Sequence, residues 1–565
     1  MKKKYLLRNG RFFTSSATEE MASAVLVEEG IFTKVGTLEE CQNHAKKTGI
    51  WENMEVVDFG GRMVLPSLLD GHTHPMMVAG TNWHCIMPAT KDREQLLQNI
   101  KETAAAIPKE EMPYFYGECY YAETFGEEGP HRQLLDQLIP DRPACIQEYT
   151  DHECWYNTMA LEMLHVLAVE DDSFVENKAF FMRDEEGKAT GWVQEKDADL
   201  DMAIYEALDW YPPDGISEKY VEPFLRFIRE KGVCALMDAS TTREEILQLF
   251  YTMDQQNRMK IYYEGALPLH LTDDLDQVLA TIVDWRRRYT SRHVHINTMK
   301  VFFDGTNEIG TCASLEPLEN DSSGKSFGKP ELTEEQLVDI LLRANDNNVD
   351  VHIHVVGDQG FRSCCNSVEK AKKKAGDKWS IFVTLAHCEL MTREDAQRAT
   401  KLGIFFDTTP HDAGGYYGEM AIPYLGKDRW SSMYDYRELL STGGIIGHSS
   451  DVFSYMEANR ANPFFGMEVA ATRIDRELPL NPEKYEDSVR PPKDAVLPVK
   501  QLVKGYTYNN AMRMRMLDRL GTIEEGKAAC LLAMDEDIFT MKPEDIHRID
   551  PVAVLFDGEF LWNEM

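Results

Sequence analysis

The sequence lacks any apolar run long enough to cross a membrane, and it has little positive charge. Its 565 residues include 60 lysines and arginines against 95 aspartates and glutamates, a formal net charge of −35. A membrane-spanning helix needs about 20 consecutive apolar residues, and nucleic acids and anionic lipid surfaces are polyanions that attract basic proteins. We therefore expect neither a membrane nor a nucleic acid as a partner.

Paired cysteine spacings and a secretory leader are also lacking. The 11 cysteines are scattered along the chain, and only Cys364 and Cys365 are neighbours. This spacing indicates neither a disulfide framework nor a zinc ribbon. The first apolar stretch ends at Leu7, before Arg8, and is too short for the core of a signal peptide. These absences predict a reduced, cytoplasmic protein.

The sequence does contain short apolar runs that alternate with helical stretches. About eight such runs lie between "MVLPSLLDGHTH" and "GIIGHSSDVF", and "EEQLVDILLRANDNN" is typical of the stretches that separate them. Buried parallel strands form continuous apolar runs, and a closed barrel of alternating strands and helices needs about eight strands. The predicted fold class is therefore α/β, a (β/α)8 TIM-type barrel.

The two ends of the chain and one long gap predict the domain organisation. Residues 1–62 and 515–565 contain short strands and turn pairs such as Asn9-Gly10, which predicts one small composite β-sandwich from both termini. Residues 63–514 form the predicted barrel. Its first two runs are separated by about residues 80–225, more than one crossover helix needs. We expect this segment to be a large insertion after the first barrel strand that caps the substrate pocket.

Two histidines end the first apolar run. His72 and His74 are separated by one residue, and alternate residues of a strand point to the same face. Imidazole suits zinc and the neighbouring transition metals, although two imidazoles supply only part of a coordination shell. Taken alone, such a pair is more often two exposed or capping histidines than a metal site.

Later runs carry further candidates, namely Lys300, His352, His354, His387 and Asp451. Each has an ordinary alternative: a lysine that reaches the surface, a core histidine, or an aspartate that caps a helix. A buried lysine is driven toward its neutral form, which could take up carbon dioxide and bridge two cations as a carbamate. The spacing leaves His352 and His354 both open. Because strand ends of a barrel meet at one mouth, the whole set predicts a metal cluster.

These motifs resemble the amidohydrolase superfamily. The residues concerned are "LPSLLDGHTHP", "TMKVFFDGT", "VHIHVVGDQG", "TLAHCE" and "GHSSDVF", in that order, and blocks such as "YTDHECWYNTMAL" and "GYTYNNAMR" are similar to the amidohydrolase-3 branch, with its YtcJ-like and N-substituted formamide deformylase-like enzymes. The resemblance selects His354 over His352, because His354 precedes the Gly-Asp pair. The ligands that it implies are His72, His74, Lys300, His354, His387 and Asp451.

The resemblance also implies one or two divalent ions, zinc by default with iron, manganese or cobalt as alternatives. Lys300 could then be an N6-carboxylysine. The predicted function is hydrolysis of a non-peptide C–N bond, such as an amide or formamide, in a small molecule, with Asp451 as the general base and acid. The alternatives are a lactone, cyclic imide or related carbonyl as substrate, or a non-catalytic scaffold.

Substrate contacts are expected from both the insertion and the barrel. His152, Trp192 and Glu195 are the candidates in the insertion, and His411, at the end of the seventh run, is the candidate in the barrel. For His411 a structural role is an equal alternative. A homodimer is the commonest assembly of soluble proteins and is the expectation for this chain.

Overall fold

The computed structural model describes residues 3–18, 20–51, 54–88, 90–121, 124–149, 153–168, 180–194, 198–213 and 215–565. The chain separates into two compact units. The barrel unit comprises Met1–Val78, Ile216–Phe453 and Glu457–Met565, and the inserted unit comprises Ala79–Gly215 and Ser454–Met456. None of the helices in the described part of the chain has the length and hydropathy that crossing a membrane requires.

The strands are numbered in chain order. The N-terminal ones are β1 (Tyr5–Phe13), β2 (Met21–Glu28), β3 (Ile31–Gly36), β4 (Glu55–Asp58), β5 (Met63–Pro66) and β6 (Leu68–Thr73). The inserted unit has β7 (Cys85–Ile86), β8 (Phe115–Tyr120), β9 (Ala144–Glu148), β10 (Glu153–Tyr156), β11 (Phe180–Arg183) and β12 (Ala189–Gln194). The others are β13 (Val233–Asp238), β14 (Tyr262–Leu269), β15 (Val294–Phe302), β16 (Asp350–Val355), β17 (Val383–His387), β18 (Phe405–Thr408), β19 (Ile446–His448), β20 (Leu531–Met534), β21 (Ala553–Phe556) and β22 (Glu559–Asn563).

The α-helices follow the same order. The first six are α1 (Leu38–Thr48), α2 (Pro75–Gly80), α3 (Arg93–Ala106), α4 (Arg132–Leu138), α5 (Thr158–Met163) and α6 (Ala198–Leu208). The next six are α7 (Glu218–Glu230), α8 (Glu244–Gln255), α9 (Leu275–Tyr289), α10 (Glu334–Asp346), α11 (Asp358–Ala375) and α12 (Arg393–Lys401). The last are α13 (Ile422–Ser432), α14 (Arg437–Ser441), α15 (Pro463–Thr472), α16 (Val499–Lys504) and α17 (Asn510–Arg513).

Eight parallel strands form the barrel, in the order β6-β13-β14-β15-β16-β17-β18-β19. The ring is completed beyond β19, where the Asp451 backbone N–H donates to His72 O (2.8 Å) and the His74 N–H donates to Val452 O (3.0 Å). Helices α7 to α12 stand between successive strands, and α10 begins at a capping box of Thr333 and Gln336. The predicted α/β fold class with a (β/α)8 TIM-type barrel is confirmed.

The first predicted barrel run is divided between two sheets. β5 pairs with β1 and β20 in the sheet of the termini, and β6 pairs with β13 in the barrel. The chain changes sheets at Ser67, whose N–H donates to Cys530 O (3.2 Å), while the Leu68 N–H donates to Gly232 O (2.9 Å). The prediction of one strand over "MVLPSLLDGHTH" is therefore wrong for its first half. Both halves are fully buried, so their hydropathy does not show the change of sheet.

The two chain ends share one hydrogen-bonded sheet in the order β22-β21-β20-β5-β1-β2-β3, with β4 beside β1. The link between the ends is the antiparallel pair of β20 and β5, where Leu532 is opposite Leu65. Phe12, Phe32 and Leu555 are among the residues of its core and are fully buried. The sheet therefore joins both termini through apolar burial.

The inserted unit has its own six-stranded sheet, in the order β11-β12-β10-β9-β8-β7. Its core is aromatic, and Tyr114, Trp155 and Tyr156 are all completely buried. The last two therefore pack inside the unit. The predicted insertion of about residues 80–225 runs further than the inserted unit, because residues from Ile216 onward, with α7, belong to the barrel unit.

Candidate metal centre

Three histidines surround the Asp451 carboxylate at the C-terminal mouth of the barrel. His74 Nε2 lies 3.2 Å and His72 Nε2 3.3 Å from Asp451 Oδ1. His387 Nδ1 lies 3.4 Å from Asp451 Oδ2. β6 supplies His72, His74 follows β6 directly, β17 ends at His387 and Asp451 follows β19. Strand order thus brings together residues that are far apart in the sequence.

Lys300 and His354 adjoin this group from the neighbouring strands β15 and β16. Lys300 Nζ lies 3.0 Å from His72 Nε2 and is buried. The His354 ring packs beside the His387 ring with centroids 4.5 Å apart, and His354 Nε2 lies 2.9 Å from Gly305 O. A carbonyl oxygen only accepts hydrogen bonds. His354 Nε2 therefore carries the proton, and the lone pair is on Nδ1.

Two overlapping groups have the spacing that holding a metal ion requires. In the described part of the chain they are His72 with His74 and Asp451, and His72 with His352 and Asp407, each with its ligand atoms within 4.8 Å of one another. His72 contributes Nε2 to the first group. To the second group it contributes Nδ1, which is 3.1 Å from His352 Nε2 and 3.5 Å from Asp407 Oδ2.

The second group contacts His72 through Nδ1 and thereby orients its ring. A neutral imidazole has one protonated nitrogen, and a proton on Nδ1 leaves the Nε2 lone pair facing His74 and Asp451. Asp407 is fixed for this role, because Arg513 Nη2 donates to its Oδ1 (2.6 Å) and Ser449 Oγ donates to its Oδ2 (3.0 Å). Metal-bound histidines commonly have such an acceptor on their other nitrogen. Sequence reasoning missed Asp407, although it interrupts the apolar run "GIFFDTT" as Lys300 interrupts its own.

Burial sets the protonation states of the site. Loss of solvation lowers the pKa of His72 well below its ordinary value and that of His387 to about 4, and it lowers the pKa of Lys300 to about 8. Burial alone would raise the pKa of Asp451, but the charge of His387 and the hydrogen bond from His74 bring it below its usual range. At neutral pH the imidazoles of His72 and His387 are therefore neutral and the carboxylate of Asp451 is charged.

Neutral imidazoles with one carboxylate are the donor set of zinc and its neighbours. The residues present therefore fit a divalent metal. His72, His74 and Asp451 would hold it, with His387, His354 and Lys300 adjoining them.

The backbone at two of these residues is in the left-handed region that favours glycine. His387 has φ 69° and Asp451 has φ 50°, conformations that cost non-glycine residues free energy. Hydrogen bonds hold them in place: the N–H of Cys388 donates to Val355 O (3.1 Å), and the N–H of Asp451 donates to His72 O. Such strain concentrates at functional sites.

Asp70, which lies in the motif "LPSLLDGHTHP", connects the first and last barrel strands. Its Oδ1 accepts from the backbone N–H groups of His72 (3.3 Å) and Ser450 (3.0 Å), and its Oδ2 accepts from Ser450 Oγ (2.6 Å). Burial raises the pKa of this carboxyl to about 7. Asp70 therefore positions His72 together with the loop that carries Asp451.

The four predicted substrate residues are divided between the two units and the residues outside the described part of the chain. Trp192 belongs to β12 in the inserted unit, where its Nε1 donates to Glu153 Oε2 (2.8 Å). His411 belongs to the barrel unit, is buried, and has its Nε2 3.3 Å from Asp412 Oδ1. His152 and Glu195 lie outside the described residues. These four substrate contacts stay predictions.

Solved structures share the fold. An uncharacterized metal-dependent hydrolase from Pyrococcus horikoshii OT3 has a TM-score of 0.70 at 19% identity, with 96% of this chain and 99% of that chain covered. A mutant of atrazine chlorohydrolase TrzN from Arthrobacter aurescens TC1, solved with zinc and atraton, has a TM-score of 0.53 at 14% identity, with 99% and 95% covered.

Sequence similarity extends over nearly the whole chain. The putative amidohydrolase YtcJ of Bacillus subtilis (strain 168) is 25% identical over 576 residues, 99% of this chain and 100% of its own. The N-substituted formamide deformylase of Arthrobacter pascens is 22% identical over 568 residues, 98% and 97% respectively. A sequence model of the amidohydrolase family matches residues 55–561. The chain belongs to the amidohydrolase family.

Proposed function

We propose that the protein hydrolyses a carbon–nitrogen bond of the amide or formamide type, outside peptides, in a small molecule. The observation that carries this proposal is the position of Asp451, whose two oxygens lie within 3.4 Å of three imidazoles. They meet at the end of the barrel where enzymes of this fold have their active sites. The similarity to an N-substituted formamide deformylase favours a C–N bond.

The proposed cofactor is zinc, held by His72, His74 and Asp451. A divalent ion in such a site lowers the pKa of water toward neutrality and polarises a carbonyl group. The protein contributes the ligand tautomers: Asp407 and His352 flank Nδ1 of His72, so its Nε2 is available to the ion.

Asp451 performs the proton transfers. It is ionised at neutral pH because its pKa is below the usual range, so it begins the reaction as a base. It takes a proton from the attacking water as the new C–O bond forms, and it gives that proton to the nitrogen as the C–N bond breaks. An amine is a poor leaving group unless it is protonated, so this second transfer is the step that an amide requires.

Lys300 is proposed to become a carbamate when two ions are bound. Its neutral amine would form an N–C bond to carbon dioxide and release one proton, which converts a cation into an anionic oxygen donor. Burial lowers the pKa of Lys300 to about 8, which makes a permanent ammonium unfavourable at this position. Wild-type protein purified with ¹³C-bicarbonate should show a carbamate signal in its NMR spectrum, and the Lys300→Ala variant should lack it. Identical spectra of the two proteins would contradict carbamate formation at Lys300.

Activity against a substrate panel tests the function. Zinc-loaded protein is incubated with N-substituted formamides and acetamides, with lactones and cyclic imides for comparison. Amine release is quantified for the first two classes and acid release for the last two. We expect turnover of at least one C–N substrate, and a loss of roughly a thousandfold or more in Asp451→Asn with zinc retained. Turnover of lactones alone, or near-normal activity of the variant, would contradict the proposal.

A further inference from the structure

A second group of buried polar side chains lies at the same end of the barrel, and the reaction above does not use it. Asn307 and Glu308 follow β15, Glu389 follows β17 and Asp412 follows β18. We call these four residues the acidic cluster. Their exposed fractions are 0%, 6%, 5% and 5%. Since the strands they follow are barrel strands, the cluster belongs to the mouth that also carries Asp451.

Asn307 connects the loops of this cluster. Its Nδ2 donates to Glu389 Oε2 at 2.6 Å, while Tyr434 OH lies 3.5 Å from Glu308 Oε1. Glu389 stands two residues after His387 in the sequence. The amide of Asn307 is thereby fixed against a carboxylate next to the candidate metal centre.

The carboxylates of Glu389 and Asp412 have no cationic partner among the described residues. Of the described lysine, arginine and histidine nitrogens, only His411 Nε2 is within ion-pair distance, 3.3 Å from Asp412 Oδ1, and burial lowers the pKa of His411 well below its ordinary value. The buried Arg490 donates to backbone oxygens of Met433 and Pro491 instead. Burial, together with the neighbouring acidic groups, raises the pKa of both carboxyls well above the ordinary value, so a charge on either group requires a compensating cation.

Several buried acceptors around the cluster also lack a hydrogen-bond donor in the described structure. Asn307 Oδ1 and Asp412 Oδ1 are buried without a partner, as are the hydroxyls of Thr306 and Thr409 in the same loops. Asn307 Oδ1 belongs to the same amide whose Nδ2 donates to Glu389. Buried polar atoms are normally satisfied, and these four have no hydrogen-bond partner among the described residues.

A single metal ion does not fit these acceptors. Apart from the two groups that share His72, the described residues contain no three His, Cys, Asp or Glu ligand atoms within 4.8 Å of one another. Carboxylates that are spread out in this way match an organic cation, which presents several N–H donors over a larger volume than a metal ion does.

We propose that the acidic cluster binds a cationic group of the substrate, an ammonium, amidinium or guanidinium, while the scissile bond lies at Asp451. The net charge of −35 attracts such substrates. The inference rests on the proposed function for the reaction, but the binding itself does not depend on turnover. It makes Glu389, Asp412 and Asn307 residues that determine specificity.

Two probes of equal size separate charge from shape. N-(4-aminobutyl)formamide ends in an ammonium group where N-pentylformamide ends in a methyl group. Dissociation constants are measured by calorimetry on the zinc-loaded Asp451→Asn protein, in which turnover is removed. We expect the cationic probe to bind at least about tenfold more tightly, as a charged hydrogen bond to a buried acceptor implies. Equal affinities would overturn the proposal.

Isosteric variants test which residues produce the preference for the cationic probe. In the Asp451→Asn background, Glu389→Gln and Asp412→Asn each remove one charge without changing shape, and each should reduce the affinity ratio of the two probes by about tenfold. Glu394→Gln and Asp377→Asn neutralise exposed carboxylates and should leave the ratio unchanged. Asn307→Leu is a third test if a charge variant fails to fold, which circular dichroism would show.

The outcomes distinguish this inference from the proposed function. A preference for the cationic probe that survives in every cluster variant would overturn the inference. A preference that the cluster variants lose supports it, even where wild-type protein hydrolyses neither probe. Hydrolysis of both probes by wild-type protein at equal kcat/KM, with equal affinities, would support the function and overturn the inference.

Discussion

The site depends on residues that hold its ligands as much as on the ligands themselves. The sequence identified His72, His74, Lys300, His387 and Asp451 as one group because each interrupts or ends an apolar run, and the structure brings all five together. Asp407 was not recognised. Its role depends on which nitrogen of His72 faces it, and side-chain orientation across a barrel has no signal in spacing.

Removing the charge of Asp407 should weaken metal binding without unfolding the protein. In Asp407→Asn, Arg513 loses its charged partner and His72 loses the acceptor that favours a proton on Nδ1. We expect the dissociation constant for zinc to rise about 10- to 100-fold, measured by competition with a chelating dye. Asp435→Asn, which removes a carboxylate paired with Arg437, is the control and should not change it. Wild-type zinc affinity in the Asp407 variant would contradict this account of the His72 tautomer.

At the scale of elements, α17 and the turn before it fix the barrel strands that carry the site. Asn510 Nδ2 donates to Leu69 O (2.6 Å) on β6 and to His448 O (2.7 Å) on β19. Arg513 donates to Asn510 and to Asp407 on β18. The block "YNNAMR" is thus a buried polar support that joins three strands. Gly71 lies beside it, because a Cβ atom there would be 1.6 Å from Arg513 Nη2.

Substituting Gly71 should therefore destabilise the protein. In Gly71→Ala the new methyl group displaces a guanidinium that is buried and paired, so we expect a loss of about 1–3 kcal/mol in the free energy of unfolding. Urea unfolding followed by fluorescence measures it. Gly80→Ala is the matched control, since a Cβ there meets nothing within 4 Å. Equal stability of wild type and Gly71→Ala would show that Arg513 can move freely.

The elements were predictable to different degrees. Apolar runs identified all eight barrel strands, because burial on both faces of a parallel strand leaves a continuous apolar pattern. The same pattern hid the change of sheet at Ser67, since β5 and β6 are both buried. The six-stranded sheet of the inserted unit was not predicted, because polar residues such as Glu118, Gln147 and Glu153 interrupt the apolar runs of its strands.

At the scale of the whole molecule, one buried histidine joins the barrel to the sheet of the termini. His293 Nδ1 lies 2.6 Å from Asp254 Oδ1 on α8, and its Nε2 lies 3.0 Å from Asp557 Oδ2 in the turn between β21 and β22. Arg292 and Tyr262 also contact Asp557. Burial opposes a charge on His293, but the two carboxylates raise its pKa above the ordinary value.

This linkage predicts a dependence of stability on pH. Because the folded pKa of His293 exceeds the unfolded one, its contribution is complete below about pH 6.5 and is lost as the pH rises through the folded pKa. Each unit of difference corresponds to about 1.4 kcal/mol. The free energy of unfolding of wild type relative to His293→Gln should therefore fall between pH 6 and pH 9. A difference that stays constant, or rises, would show that His293 is not charged in the folded protein.

Two expectations about the whole molecule stay predictions. A cytoplasmic location and a homodimer were inferred from cysteine usage and from the commonest assembly of soluble proteins, and neither follows from the fold. Substrate selection by the inserted unit also stays a prediction, with His152 and Glu195 outside the described residues. The fold class itself was predictable because it depends on a repeated pattern over hundreds of residues.

The most direct test of the central claim is to titrate zinc into metal-stripped protein and measure amine release from a formamide substrate. We predict no release without metal, and a rate that rises in proportion to zinc until one or two ions are bound per chain. A rate that is already complete in stripped protein, or that stays at zero with zinc bound for every C–N substrate, would contradict the claim that this is a metal-dependent amide hydrolase.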